Sequence, residues 1–299
     1  MNIVLHAGPM KTGSTAFQRM LELSRSKLIE GGCFPVVFSA AHPLLTAKSS
    51  SAQNQFIDEV YKKARTAGCD TLLLSSEHLT AIHKTETLQW IARLADSAPS
   101  IHAIVVRRPL RELYPSLYLQ NLKGPRGRVT SFTDFVDEQL EIDRTRCWSE
   151  NCTSFNYPCL RERLERAGAS VDEIPYSRDS FITRLLEATV GRDRFVENRI
   201  LPDEKAIADW RAKLAQRSGI DSSRTLAWPL VPAVIEINRL SLSGVLDKSQ
   251  RNRILTALLN ASSKLKNLPS PVDELLEKID VVDRDINGGA DESQASYQS

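Results

Sequence analysis

Apolar runs and amphipathic stretches alternate along the first part of the chain. Short apolar runs at residues 3–7, 71–74 and 101–106 predict buried strands, and residues 170–176 predict a further one. The stretches between the first three runs repeat apolar residues at helical spacing. Buried strands that alternate with amphipathic helices predict an α/β fold, with an open, mainly parallel sheet flanked by helices.

The chain is predicted to form a single domain over residues 1–285. The pattern loosens after Gly124, so residues 124–160 are predicted to be an insertion or a lid. The acidic residues 286–299 have few apolar side chains to bury and predict a disordered tail. Several cations and aromatic rings of the insertion could contact a sugar. These are Arg126, Arg128, Trp148, Phe155 and Tyr157.

Composition narrows the class of protein. The 299 residues are 41% hydrophobic and 25% charged, which is typical of a soluble globular protein. There is no apolar run of about 18 residues and no signal-like N-terminus, which predicts a cytoplasmic protein without a membrane span. The net charge of +2 gives no indication of a nucleic-acid partner.

The five cysteines are an odd number and form no CxxC pair. This argues against a disulfide scaffold and against a structural zinc site. Cys147, Cys152 and Cys159 are therefore predicted to be free thiols.

Polar residues gather where the predicted strands end. The three strands are followed by HAGPMKTGST, SSEHL and RRP, and ligands of open α/β sheets bind at the carboxyl ends of strands. Residues 107–128 also carry six basic side chains against the single acid Glu112, which favours an anionic ligand.

The loop in HAGPMKTGST predicts a phosphate site. A strand leads through Gly8 and Gly13 into a helix that starts near Ser14, so backbone N–H groups converge at the positive helix end. The nucleotide pattern GxxxxGK[ST] fails, because the lysine stands at position 11 and Ser14 follows Gly13. No Asp at the neighbouring strand ends is available for magnesium. The prediction is a phosphate held with the help of Lys11 and without a metal.

HAGPMKTGSTAFQ resembles the 5′-phosphosulfate loop of sulfotransferases that use 3′-phosphoadenosine 5′-phosphosulfate (PAPS). VVRRPLRELYPSLYLQ is similar to the segment that binds the 3′-phosphate in that family, and IPYSRDSF and EINRL also look like its bacterial members. The likeness touches most of residues 1–240 and is strong at the first two motifs. It implies the P-loop-type sulfotransferase fold.

The resemblance implies a set of donor-binding residues. Ser116 would bind the ribose 3′-phosphate together with an arginine, which is either Arg107 or Arg108. The usual spacing of eight favours Arg108, whereas the RRP context favours Arg107. Pro115 predicts that the helix bearing Ser116 starts late or bends. The 5′-phosphate would be held by Lys11, Thr12, Gly13, Ser14 and Thr15.

The implied reaction moves a sulfuryl group from PAPS to a hydroxyl or amine of an acceptor, with a glycan as the expected acceptor and 3′-phosphoadenosine 5′-phosphate (PAP) as the product. Lys11 would stabilise the leaving phosphate. Glu77 is favoured as the general base, as in similar carbohydrate sulfotransferases, and His78 is its rival. A nucleotide phosphotransferase and a non-catalytic PAP-binding relative are the alternatives.

Overall fold

The structure is a computed structural model, and it describes residues 1–8, 12–37, 50–76, 85–123, 129–145, 155–177, 181–197, 228–262 and 273–288. The described residues group into two compact units. Unit 1 comprises Met1–Arg108 and Ile142–Ala208, and unit 2 comprises Pro109–Glu141 and Asp209–Ser299.

A five-stranded sheet forms the centre of unit 1. All of its strand pairs are parallel, and the order is β2-β3-β1-β4-β5. The α/β class and the open parallel sheet flanked by helices are therefore confirmed. The strands are β1 (Asn2–His6), β2 (Cys33–Val37), β3 (Thr71–Ser75), β4 (Ile101–Arg107) and β5 (Ser170–Pro175).

The strand β2 has no counterpart in the sequence prediction. It lies at one edge of the sheet and carries Pro35 in its middle. Proline lacks an N–H and is tolerated in a strand only where no ladder bond is needed from it, which an edge provides. The proline hides the strand in the sequence pattern, although Cys33 and Phe34 are buried.

The described helices join and cover the strands in unit 1 and make up unit 2. A single 3₁₀ turn at Trp228–Leu230 precedes the last three of them. In chain order they are α1 (Ser14–Leu23), α2 (Arg25–Glu30), α3 (Ser50–Thr66), α4 (Thr85–Ser97), α5 (Leu110–Lys123), α6 (Phe132–Thr145), α7 (Tyr157–Arg166), α8 (Phe181–Val190), α9 (Arg192–Glu197), α10 (Val231–Leu242), α11 (Lys248–Ser262) and α12 (Asp273–Asn287).

The two faces of the sheet bury different clusters. Because side chains alternate along a strand, successive residues of β1 and β4 enter opposite clusters. One face packs residues of β1 and β4 against α1 and α8, and we call it the α1 face; Val4, Phe17, Leu21, Ile104, Val106, Leu185 and Leu186 belong to it. The other packs against α3, α4 and α7, and we call it the α7 face; Leu5, Val60, Trp90, Val105, Tyr157 and Leu164 belong to it.

Unit 2 contains a cluster of aromatic rings, formed by Tyr118, Phe132, Phe135 and Trp228. It also contains a group of buried polar side chains. The guanidinium of Arg251 is buried, donates to Asn238 Oδ1 at 2.9 Å and also contacts the carbonyl of Leu122 at 3.4 Å. The amide of Asn238 donates to the same carbonyl at 3.1 Å. The two contacts to the Leu122 carbonyl, from Arg251 and from Asn238, cap the last turn of α5, where carbonyl groups have no partner inside the helix.

The helix α5 begins at Leu110 and continues through Pro115. Of the two effects expected from this proline, the late helix start is therefore wrong, and the bend stays a prediction. The N–H of Leu110 donates to an Asp283 carboxylate oxygen at 2.9 Å, and Arg111 pairs with Asp280 at 2.7 Å, so α12 caps this helix from within unit 2. Within the described ranges, no helix has the length and apolar character that crossing a bilayer requires.

Candidate anion-binding site

The carboxyl end of β1 lies at the switch point of the sheet. After β1 the chain passes to β2 on one side, whereas after β4 it passes to β5 on the other. Because β1 and β4 are neighbours whose connections lead to opposite sides, this is the place where open α/β sheets bind ligands, outside the carboxyl ends of the two strands. The register supports this placement, since Ala7 N–H donates to the Ile104 carbonyl at 3.0 Å and β4 continues to Arg107.

The loop from β1 leads directly into α1. Gly13 is the N-cap residue and has a φ of 82°, a conformation that glycine adopts without the strain of a Cβ. It makes no side-chain cap hydrogen bond, and the first turn of α1 holds no acidic residue. The first-turn N–H groups of a helix have no partner inside it, so this helix end favours an anion. Residues 9–11 of the loop, including Lys11, lie outside the described residues.

The hydroxyl groups of the loop face different surroundings. Thr12 and Ser14 are buried, and their oxygens lie 3.4 Å apart. The Ser14 hydroxyl also donates weakly to the Gly8 carbonyl at 3.4 Å. Thr15 is exposed at the start of α1. Ser14 therefore braces the inside of the loop, while Thr15 is accessible from solvent.

His6 lies beneath this loop and is completely buried. Its Nδ1 is 2.8 Å from the Ser75 hydroxyl on β3, and its ring meets the ring of Phe17 edge to face at 4.6 Å. Burial lowers the pKa of His6 to about 3, so the ring is neutral at physiological pH. Its Nε2 is buried and has no hydrogen-bond partner among the described residues. No motif in the sequence predicts a role for His6.

Gly8 closes over the His6 ring. A Cβ built on Gly8 would lie 2.6 Å from His6 Nε2 and 2.5 Å from Ser14 Oγ. Both separations are shorter than any normal van der Waals contact, so only glycine fits here without moving the ring or the hydroxyl. The glycine thus allows the backbone at residue 8 to lie directly against the His6 ring and the Ser14 hydroxyl.

Arg107 and Arg108 occupy opposite faces of the sheet. Arg107 lies on the α7 face, 5.9 Å from the centre of the Tyr157 ring, and forms a 3.8 Å ion pair with Glu173 of β5. Arg108 stacks over Tyr176 with its guanidinium carbon 4.7 Å from the ring centre, and Tyr176 packs against the α1 face. Arg108 therefore shares a face with α1, and the charge of Arg107 is partly neutralised by a neighbour.

Ser116, the serine predicted to bind the 3′-phosphate, is half-buried on α5 and belongs to unit 2. Its role remains a prediction. The two candidates for the general base, Glu77 and His78, stand two and three positions after the end of β3 and lie outside the described residues. Arg126, Arg128 and Trp148 of the predicted lid also lie outside them.

Two predicted lid residues do not face an acceptor. Phe155 and Tyr157 are each only 1% exposed, so their rings are part of the interior and cannot stack on a sugar. Tyr157 begins α7 and belongs to the core on the α7 face. Their interpretation as sugar-contacting lid aromatics is therefore wrong.

One of the described cysteines departs from expectation. Cys159 is disulfide-bonded, to a partner outside the described residues, so the prediction of a free thiol at this position is wrong. Cys33 and Cys69 are free and buried. Burial raises the pKa of Cys33 to about 12, which makes it a poor nucleophile.

The described part of the chain holds no group of three or more His, Cys, Asp or Glu side chains arranged to bind a metal ion. The features that it does bring together are the helix end of α1, a glycine-bearing loop and an arginine at the end of the adjacent strand. Chemically, this combination suits an oxyanion such as a phosphate. No protein-family model, curated protein or solved structure matches this chain.

Proposed function

We propose that this protein is a sulfotransferase that moves a sulfuryl group from PAPS to a hydroxyl or amine of an acceptor, with a glycan as the favoured acceptor. The proposal joins the likeness of HAGPMKTGSTAFQ and VVRRPLRELYPSLYLQ to PAPS-dependent enzymes with the geometry at the switch point. In this proposal the fold is of the P-loop sulfotransferase type, PAPS is the donor and no metal takes part.

The observation that carries the proposal is the face on which Arg108 lies. The loop of β1 enters α1 on one face of the sheet, and Arg108 contacts Tyr176 on that same face at the end of the adjacent strand. A donor with two phosphate-type groups requires two separate cationic or N–H-rich positions. The loop supplies one of them, and Arg108 is the better placed of the two arginines for the other.

The residues fit the donor in chemical type. Backbone N–H groups at Thr12 to Thr15, with the exposed Thr15 hydroxyl, would hold the 5′-phosphate. Arg108 would hold the 3′-phosphate, because guanidinium groups bind phosphate through paired hydrogen bonds. The resemblance implies the same role for Ser116. Arg107 is the weaker candidate, because its guanidinium lies on the α7 face near the Tyr157 ring, on the side of the sheet opposite to α1.

The proposed reaction is an in-line displacement at sulfur. The acceptor oxygen or nitrogen forms a bond to sulfur while the bond from sulfur to the bridging phosphate oxygen breaks, and PAP leaves with the electron pair. Lys11 would stabilise the negative charge that develops on this oxygen. Glu77 would take the acceptor proton, with His78 as the alternative base. The protein otherwise contributes positioning and electrostatic stabilisation, as in phosphoryl transfer.

Calorimetric titration tests the donor class. The purified chain is titrated with PAP and, separately, with ATP and magnesium. PAP should bind and ATP should not, and Ser116→Ala should weaken PAP binding by about tenfold because a hydrogen bond to a charged group is lost. Preference for ATP would favour the phosphotransferase alternative and overturn the proposal, as would binding of neither nucleotide.

A transfer assay tests the chemistry. PAPS is incubated with a panel of glycans and small hydroxyl or amine acceptors, and release of PAP is followed. Lys11→Ala should reduce transfer by about 10²- to 10³-fold, while the exposed α3 residue Lys62 serves as the matched control in Lys62→Ala. PAP binding without transfer to any acceptor would instead indicate the non-catalytic relative.

A further inference from the structure

Tyr157 makes two hydrogen bonds to the backbone of a single residue. Its hydroxyl accepts from the Arg108 N–H at 3.0 Å and donates to the Arg108 carbonyl at 3.2 Å. The residues are 49 positions apart in sequence, and Tyr157 is almost completely buried. One hydroxyl therefore binds both polar groups of the peptide backbone of Arg108.

Arg108 needs this partner because the sheet ends just before it. The bond from Tyr176 N–H to the Arg107 carbonyl, at 2.7 Å, continues the β4–β5 ladder to the end of β4. Pro109 follows Arg108 and restricts it to extended conformations. With its backbone fixed by Tyr157 and Pro109, Arg108 extends its side chain over the Tyr176 ring.

Tyr157 is itself fixed by the start of α7. The Asn156 side chain caps this helix by accepting from Cys159 N–H at 3.0 Å. The carboxylate of Asp143, which is fully buried, accepts from Phe155 N–H at 2.9 Å. The Asn156 amide also donates to the Asp143 carbonyl at 3.2 Å. Tyr157 thus projects from a helix end that Asn156 caps and that the buried Asp143 stabilises.

We propose that Tyr157 is a positioning residue for anion recognition, which acts by holding the backbone of Arg108 so that its guanidinium meets the 3′-phosphate of the donor. The inference rests on the proposed function. It assigns the end of the predicted insertion a role different from that of a lid, because Tyr157 supports the site from the opposite face of the sheet and touches no substrate. Its effect is confined to the part of the donor that Arg108 binds.

The test compares two ligands that differ only in the 3′-phosphate. Wild type and Tyr157→Phe are titrated calorimetrically with PAP and with adenosine 5′-monophosphate. The variant keeps the buried ring and loses both hydrogen bonds, so PAP affinity should fall by about 5- to 20-fold. Affinity for adenosine 5′-monophosphate should change by less than about twofold, since that ligand presents nothing to Arg108.

Tyr118→Phe is the matched control. Tyr118 is another fully buried tyrosine whose hydroxyl donates to a backbone carbonyl, that of Thr130, at 2.9 Å. Both variants lose hydrogen bonds to backbone and should lose some thermal stability. Only Tyr157→Phe should lower the PAP affinity relative to adenosine 5′-monophosphate. Equal weakening of both ligands by Tyr157→Phe, or no weakening of either, overturns the inference.

A double-mutant cycle with Arg108→Met shows whether Tyr157 acts through the arginine. If it does, adding Tyr157→Phe to Arg108→Met should cause no further loss of PAP affinity. Additive losses would mean that Tyr157 acts by another route and would overturn the inference. If the wild-type chain binds neither ligand, the proposed function itself is overturned. If the wild type binds PAP and Tyr157→Phe binds it with the same affinity, only the role of the tyrosine is overturned.

Discussion

The Nδ1 atom of His6 and the hydroxyl of Ser75 lie 2.8 Å apart, which joins β1 to β3 by a side-chain bond directly beneath the loop. The opposite nitrogen of the ring faces Gly8. The imidazole is thus held between the sheet and the loop, and it is uncharged there because charging it would require burial of a cation without compensation.

The neutral state of His6 predicts a loss of stability in mild acid. The unfolded chain binds a proton near pH 6.5, whereas burial lowers the pKa of the folded group to about 3. The contribution of His6 to the free energy of unfolding is therefore fully present above about pH 6.5. It is lost progressively as the pH falls toward 3. Urea unfolding should show a loss of about 2 kcal/mol between pH 7 and pH 5 that is absent in His6→Phe.

Ser75→Ala separates burial from hydrogen bonding in this prediction. The low pKa of His6 has burial as its cause, so the variant should keep the pH dependence of the wild type. It should lose about 1 kcal/mol at every pH for the missing bond. The buried, neutral histidine would be contradicted if the free energy of unfolding changed equally between pH 7 and pH 5 in the wild type and in His6→Phe.

Gly8→Ala should damage the loop. The added Cβ would meet His6 Nε2 at 2.6 Å, and a ring fixed by Ser75 and Phe17 has little room to move. We expect a stability loss of about 1 to 3 kcal/mol and at least a tenfold loss of PAP affinity, measured by urea unfolding and calorimetry. Combining Gly8→Ala with His6→Ser should recover only part of the affinity, because the smaller side chain removes the contact with the ring and leaves the contact with Ser14 Oγ at 2.5 Å. Full PAP affinity in Gly8→Ala alone would show that the loop tolerates the methyl group.

The two arginines at the end of β4 should respond differently to removal of their charge. Arg108→Met should lower PAP affinity by about tenfold or more, as expected for loss of a charge-assisted pair. Arg107→Met should change PAP affinity by less than about threefold. Loss of this arginine does not leave Glu173 without a cation, because Arg161 remains within 3.6 Å of its carboxylate. Calorimetry on this matched pair measures the difference, and the reverse order of effects would assign the phosphate to Arg107.

Thiol titration tests the disulfide bond at Cys159. Five cysteines minus the two in one bond leave three thiols. Reaction with a thiol reagent in denaturant should therefore give three thiols per chain without reductant and five after reduction. Such a bond favours an oxidising compartment, whereas the sequence predicted a cytoplasmic protein. Five thiols in the unreduced chain would restore the free-thiol interpretation.

The sheet was largely predictable because its central strands are buried on both faces. The observed β1, β3 and β4 match the predicted runs to within a residue or two, since apolar side chains must fill both layers. The strand β2 was missed because Pro35 interrupts the pattern at an edge, where the missing N–H carries no cost. Edge strands obey weaker constraints and leave weaker signals.

The site was predictable where it is local in sequence and not where it depends on distant contacts. Gly8, Gly13 and Ser14 form one continuous strand–loop–helix segment whose pattern can be read directly. The bonds from Tyr157 to Arg108 and from His6 to Ser75 span 49 and 69 positions. The residues next to Tyr157 and next to His6 in the sequence do not indicate these partners. The choice between Arg107 and Arg108 likewise depends on Glu173 and Tyr176, which only the folded sheet brings close.

The central position of β1 also affects how the chain must fold. This strand is made first, yet both of its neighbours, β3 and β4, come much later, and its pairing is complete only when residue 104 is available. Parallel pairing over such sequence distances gives a high contact order and slow folding. The chain through Ile104 must therefore leave the ribosome before the loop after β1 acquires its supports. Until then Ile3, Val4 and Leu5 remain open to contacts with other nascent chains, which makes early chaperone capture valuable for this protein.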